Sequence, residues 1–200
     1  MKRVISSFLV FLLLLFCGCG GNFAVNPLVG VCLMVNDSLY ICDSAVADGA
    51  LPSTLESIGS INNFGSALPK SNFESTSNDF GSEILQEPNA TDKVYTYNAD
   101  KEQHWLYLRC DICVALDNVL YIADSDSTVA ELPEGCTSVG SIARCIEKGV
   151  PTEQLESLGI AADTEIFVNP KDTQHIYAVK KLSNGVRYLP LTQFINIDIE

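Results

Sequence analysis

The chain contains itself twice, and no other feature narrows its possible folds as far. Leu39-Tyr40-Ile41-Cys42-Asp43-Ser44 returns as Leu120-Tyr121-Ile122-Ala123-Asp124-Ser125, an offset of 81 residues. At that offset Leu51-Pro52 falls on Leu132-Pro133, and Ser57-Ile58-Gly59-Ser60-Ile61 falls on Ser138-Val139-Gly140-Ser141-Ile142. Residues 36–61 carry 11 identities in 26 aligned positions. One inserted residue moves the offset to 82, where Pro69 meets Pro151, Glu74-Ser75 meets Glu156-Ser157, and Val94-Tyr95 meets Ile176-Tyr177. Two copies are too few for a solenoid, whose units need several neighbours, so each is expected to fold around its own small core. The boundaries that follow are a first repeat over 29–109, a second over 110–193 and a C-terminal tail over 194–200.

Each copy reads as β structure. Residues 31–35 and 38–42 are apolar around Asn36-Asp37, and residues 112–116 and 119–123 are apolar around Asp117-Asn118. Asn and Asp tolerate the positive φ of a two-residue hairpin loop, so a hairpin should open both copies. Third strands are expected over 57–61 and 138–142, and further strands over 165–168, 175–180 and 186–191, which are β-branched or aromatic. Pro151 near a start and Gly159 at an end suggest one or two helical turns between them. The Ser/Asn-rich run 70–79 reads as a loop. The fold class is therefore all-β with minor helix: two tandem small antiparallel domains, each barrel- or sandwich-like.

Ahead of the repeats, Lys2 and Arg3 precede a 13-residue apolar run over 4–16. Such a run reaches roughly 20 Å as a helix, short of a hydrocarbon core of roughly 30 Å, so a signal peptide over 1–18 is expected rather than a spanning helix. Phe16-Cys17-Gly18-Cys19 resembles the lipobox of bacterial lipoproteins. Cys19 is the residue it marks for lipidation, because Cys17 would place bulky Phe16 at the cleavage position. Residues 19–28 then form a tether, and the expected location is the extracytoplasmic face of the cell membrane, held by lipid. The whole chain carries a formal charge of −13, and past residue 18 only 10 basic side chains face 25 acidic ones. A surface so negative repels phosphate backbones and excludes nucleic acid as a partner.

The order of motifs adds a resemblance. A hairpin ending Leu-Tyr is followed by Leu-Pro, Ser-x-Gly-Ser-Ile, Pro-Thr-Glu, Glu-Ser, Thr-Glu-Ile-Phe-Val-Asn-Pro-x-Asp, Ile-Tyr-Ala-Val and a closing Arg-Tyr-Leu. It resembles a small repeated β domain of uncharacterised surface lipoproteins from clostridia and related Gram-positive bacteria. The match covers 112–191 well and 31–108 more loosely, departing in the loop 70–79 and the stretch 98–104. The resemblance implies export and a β fold, and it assigns no catalytic residue.

Several apparent chemistries fail on their own terms. Residues 119–129 match the apolar strand and Asp124-x-Asp126-x-Thr128 of haloacid-dehalogenase-like phosphotransferases. That chemistry needs a parallel βαβ sheet and distal acids, and the first copy has Ala45 where Asp126 stands. Cys110-Asp-Ile-Cys113 has redox spacing, but Cys113 leads into a strand rather than a helix, and Cys136 and Cys145 are too far apart to complete a zinc site. His104 and His175 lie outside any nucleophile elbow, and Asp43, Asp48, Glu131 and Glu134 form no calcium loop. No catalytic, cofactor or metal site is expected.

Beyond Cys19, six cysteines in an exported chain permit three bridges: Cys32, Cys42, Cys110, Cys113, Cys136 and Cys145. Cys136 and Cys145 flank an expected strand, and nine extended steps span about 30 Å where a bridge needs about 7 Å. They should not pair with each other; bridges from Cys110 or Cys113 to Cys136 or Cys145 are expected instead. The function expected is non-catalytic binding of an unspecified protein or glycan partner. The alternative is a surface enzyme, hydrolytic or thiol-dependent, with its site between the repeats. Trp105, Tyr107 and Tyr188 are candidate contact aromatics, with core packing as their ordinary role.

Overall fold

A computed structural model describes residues 30–65, 67–123 and 127–197. Asn36 and Asp37 have φ of 50° and 59°, and Asp117 and Asn118 have 51° and 62°, as the expected two-residue turns require. They join β1 (Cys32–Val35) to β2 (Ser38–Val46), and β9 (Cys113–Leu116) to β10 (Val119–Ile122). The first copy continues with β3 (Glu56–Ser60), β4 (Asn63–Phe64), β5 (Glu74–Ser75), β6 (Glu83–Gln86), β7 (Lys93–Asn98) and β8 (Gln103–Arg109). The second repeats this set as β11 (Thr137–Ser141), β12 (Arg144–Ile146), β13 (Glu156–Leu158), β14 (Glu165–Asn169), β15 (Asp172–Leu182) and β16 (Gly185–Asn196).

Both copies build the same eight-stranded sheet. The orders are β3-β6-β7-β8-β2-β1-β5-β4 and β11-β14-β15-β16-β10-β9-β13-β12. The fold is all-β, with two curled half-barrels in tandem. Pairing is antiparallel except at one edge of each sheet, where β4 runs parallel to β5 and β12 to β13. Bulges at Ile58 and Val139 bend the first edge strand, so the chain leaving it crosses directly to the opposite edge. Matching bonds stitch that crossing: Ile61 N–H to Ser82 O at 2.7 Å, and Ile142 N–H to Thr164 O at 2.8 Å.

Two expectations are corrected here. The helical turns expected over 151–159 are absent; a tight turn leads into β13 instead. The Glu156 carboxylate accepts the N–H groups of Thr152 and Glu153 at 2.9 and 3.3 Å, and Leu155 swings to a φ of 56°, which ends any helical course. The first copy uses the same device in what reads as a loop. Glu74 accepts the N–H groups of Lys70 and Ser71 at 2.8 and 3.0 Å, Phe73 takes a φ of 67°, and β5 follows. The expected tail from residue 194 is also part of the sheet as far as Asn196, because Phe194 and Ile197 are apolar and buried.

Three cores result, not two. One lies inside the first half-barrel around Leu33, Tyr40, Ile84 and Tyr107, and one inside the second around Val114, Tyr121, Ile166 and Leu191. The third joins the copies: Cys32, Leu39 and Ile41 from the first hairpin meet Cys113, Ala115, Leu120 and Ile122 from the second, with Leu68, Phe194 and Ile197. Successive strand residues point to opposite faces. Each hairpin therefore buries one face in its own barrel and the other against its twin.

Candidate functional site

A cavity of about 750 Å³ opens where the two hairpins meet. Equivalent segments line it from both copies: Met34 with Ala115 on the first strands, Asp37 with Asn118 in the turns, and Leu68 with Val150 on the connections that follow. Leu116 and Ile197 complete an apolar floor, while Lys70, Thr152, Glu153 and Gln154 bring polar groups to the rim. Each turn is fixed by a backbone bond. Gly149 N–H donates to Asp37 O at 2.8 Å across the junction, and within the second copy Ile197 N–H donates to Asn118 O at 2.7 Å. The rim connections are fixed in turn by the two capping glutamates.

Those carboxylates are strongly held. Glu156 is 3% exposed and also accepts Arg144 through Nε at 2.8 Å and through its terminal nitrogen. Burial alone would raise its pKa, but the Thr152 N–H, Arg144 and the Glu153 N–H outweigh it and hold the carboxyl below its ordinary value. Hydrogen bonds from the Ser71 side chain, the N–H groups of Lys70 and Ser71, and Asn63 bring Glu74 down from 4.5 to about 2. A depressed folded pKa contributes stability that is complete above the unfolded value and fades as pH falls toward the folded one. Acid titration should therefore weaken the fold from about pH 4.5 downward. Glu156→Ala is expected to cost about 2–4 kcal/mol, since it strips charged acceptors from two turn N–H groups. Urea denaturation at neutral pH measures the cost, and a loss under about 1 kcal/mol would contradict the capping role.

The residues singled out from sequence do not converge on this cavity. Cys19, Asp124 and Asp126 lie outside the described residues. The six cysteines among the described residues are unbridged in this structure. Cys110 and Cys113 sit together in the inter-copy core, whereas Cys136 and Cys145 lie outside that cluster, so the structure draws no bridge between the two pairs. Burial pushes the Cys32 and Cys42 thiols up to about 12, which keeps them protonated and unreactive. His104 stacks on Tyr97 with centroids 4.6 Å apart, and His175 pairs with Asp172 at 2.8 Å, in different copies. Tyr107 is fully buried, Trp105 meets Phe80 edge-on at 4.6 Å, and Tyr188 meets Phe167 at 6.0 Å: all three pack rather than display.

Among the described residues no group of His, Cys, Asp and Glu is placed to hold a metal ion, and no helix is long and apolar enough to cross a membrane. Sequence reasoning missed Met34, Leu68, Val150 and Ile197 as cavity residues. Only the repeat offset hinted at it, by aligning Met34 with Ala115 and Leu68 with Val150. No family model matches the chain, and no curated protein and no solved structure is detectably similar to it.

Proposed function

We propose that this protein is a non-catalytic binding protein, exported and held at the membrane by lipid on Cys19, whose ligand enters the cavity between the copies. The carrying observation is the lining: an apolar floor, a charged rim, and no His, Cys or Ser among the described residues that face it. Its volume falls within the roughly 300–1,000 Å³ usual for small-ligand sites. Such a lining suits an amphiphile, with an apolar body on Met34, Leu116 and Ile197 and a polar end near Lys70 and Glu153. The resemblance to clostridial surface lipoproteins and the short apolar leader support the anchored location. The test is titration of a naphthyl-tagged medium-chain fatty acid against the whole chain and against Ala67→Trp, which narrows the mouth without touching the hairpins. Saturable binding should weaken at least tenfold in the variant while the β-type circular dichroism is unchanged. Equal binding by both proteins, or none by either, would refute the site. Retained membrane attachment in Cys19→Ala would refute the anchor.

A further inference from the structure

The passage from the first copy to the second runs through Cys110-Asp111-Ile112-Cys113, and its contacts fold it back on itself. Cys110 N–H donates to Leu39 O at 2.8 Å, and Arg109 pairs with Asp111 at 2.6 Å. The Asp111 carbonyl lies flush against Gly159. The Cys110 sulfur turns forward along the chain, 3.6 Å from the carbonyl oxygen of Ile112, the residue bonded to Cys113. Cys113 is fully buried at the head of β9 and shares the inter-copy cluster with Cys110. A third thiol, Cys32, belongs to the same cluster, but its sulfur is engaged by the Thr76 hydroxyl. Cys113, by contrast, has the Cys110 thiol as its hydrogen-bond partner, a contact that together with burial pushes its pKa up.

We propose that Cys110 and Cys113 are joined by a disulfide in the mature protein, a clip at the junction where the chain passes between its two copies. The two thiols lose two protons and two electrons, and one S–S bond forms. The electrons go to the disulfide of a glutathione-type or dithiol-oxidase oxidant, which leaves as two thiols. The bond must form before the junction closes, since burial puts both sulfurs out of reach of an oxidant. Once the third core closes, the same burial shields the bond from reductants. The loop is short, so the gain in chain entropy is small. The effect of the clip is positional: it fixes the turn that sets β9 against the first hairpin.

The whole chain, denatured, reduced and refolded with oxidised glutathione, provides the test without depending on export. Free thiols are alkylated in denaturant and the digest is mapped without reduction. The expected product is one peptide holding both Cys110 and Cys113, unalkylated and two hydrogens lighter than its reduced form. It should persist in Cys32→Ser, and in Cys110→Ser the Cys113 thiol should become alkylated. Alkylation of both cysteines in the wild type, or recovery of either bonded to Cys32, Cys136 or Cys145, would overturn the proposal. So would loss of the peptide in Cys32→Ser.

Discussion

Gly159→Ala is expected to lower stability by about 4 kcal/mol or more, the range in which single substitutions signal a specific steric cause. Gly159 has a φ of 74°, and a β-carbon there would overlap the Asp111 carbonyl oxygen and lie 3.1 Å from the Ile112 side chain. The left-handed backbone alone costs an alanine about 1–2 kcal/mol. The remainder comes from the link 110–113, which cannot retreat because Cys110 N–H is tied to Leu39 O and Asp111 to Arg109. In a chain of this size, 4 kcal/mol corresponds to about 8–16 °C in Tm. Gly149→Ala is the control, with a φ of 85° but nothing within 4 Å of the added carbon. It should lose only the backbone term. Equal losses in the two variants would mean that the link yields freely.

The second large effect concerns the shared core. Leu39 and Leu120 occupy equivalent positions, both are 0% exposed, and both face the junction between the copies. Leu120→Ala should cost about 2–5 kcal/mol, the usual range for a leucine cavity in a well-packed interior. The loss should spread across both copies, because the cavity opens onto Leu39 and Ile41 of the first hairpin as much as onto the second. Calorimetry should show one cooperative transition in the wild type and one, shifted down, in Leu120→Ala. A residue inside one barrel behaves differently in kind: Ile166, also 0% exposed, belongs to the second core alone.

Much of the fold was legible because it rests on local rules. Asn36-Asp37 and Asp117-Asn118 named their turns through the positive φ they accept. Gly59-Ser60 and Gly140-Ser141 fall inside the expected third strands, and the structure adds the reason for the glycines: Phe73 and Leu155 pack within 3.1 Å of where a β-carbon would stand. The segment 151–159, where a helix was expected and none forms, carries a helix-like pattern of proline and glycine. It lost to Glu156, a side chain competing for the same N–H groups.

The inter-copy core was written in the sequence too, but in a form easily passed over. Cys32-Leu33-Met34-Val35 and Leu39-Tyr40-Ile41-Cys42 are apolar without a polar alternate, and all eight are buried. A strand with one wet face alternates; a strand covered on both faces does not. The cavity was less accessible, since it draws Met34, Leu68, Val150 and Ile197 from four separate stretches. No local pattern says that two hairpins will pack against each other and leave a gap where Met34 faces Ala115.

The central claim is that the repeats are one body joined through β1–β2 and β9–β10. Hydrogen exchange read by mass spectrometry on Leu120→Ala tests it most directly. Protection should fall in residues 32–46 of the first copy as far as in residues 113–122 of the second. Undiminished protection throughout the first copy, with loss confined to the second, would show two independent domains and contradict the account.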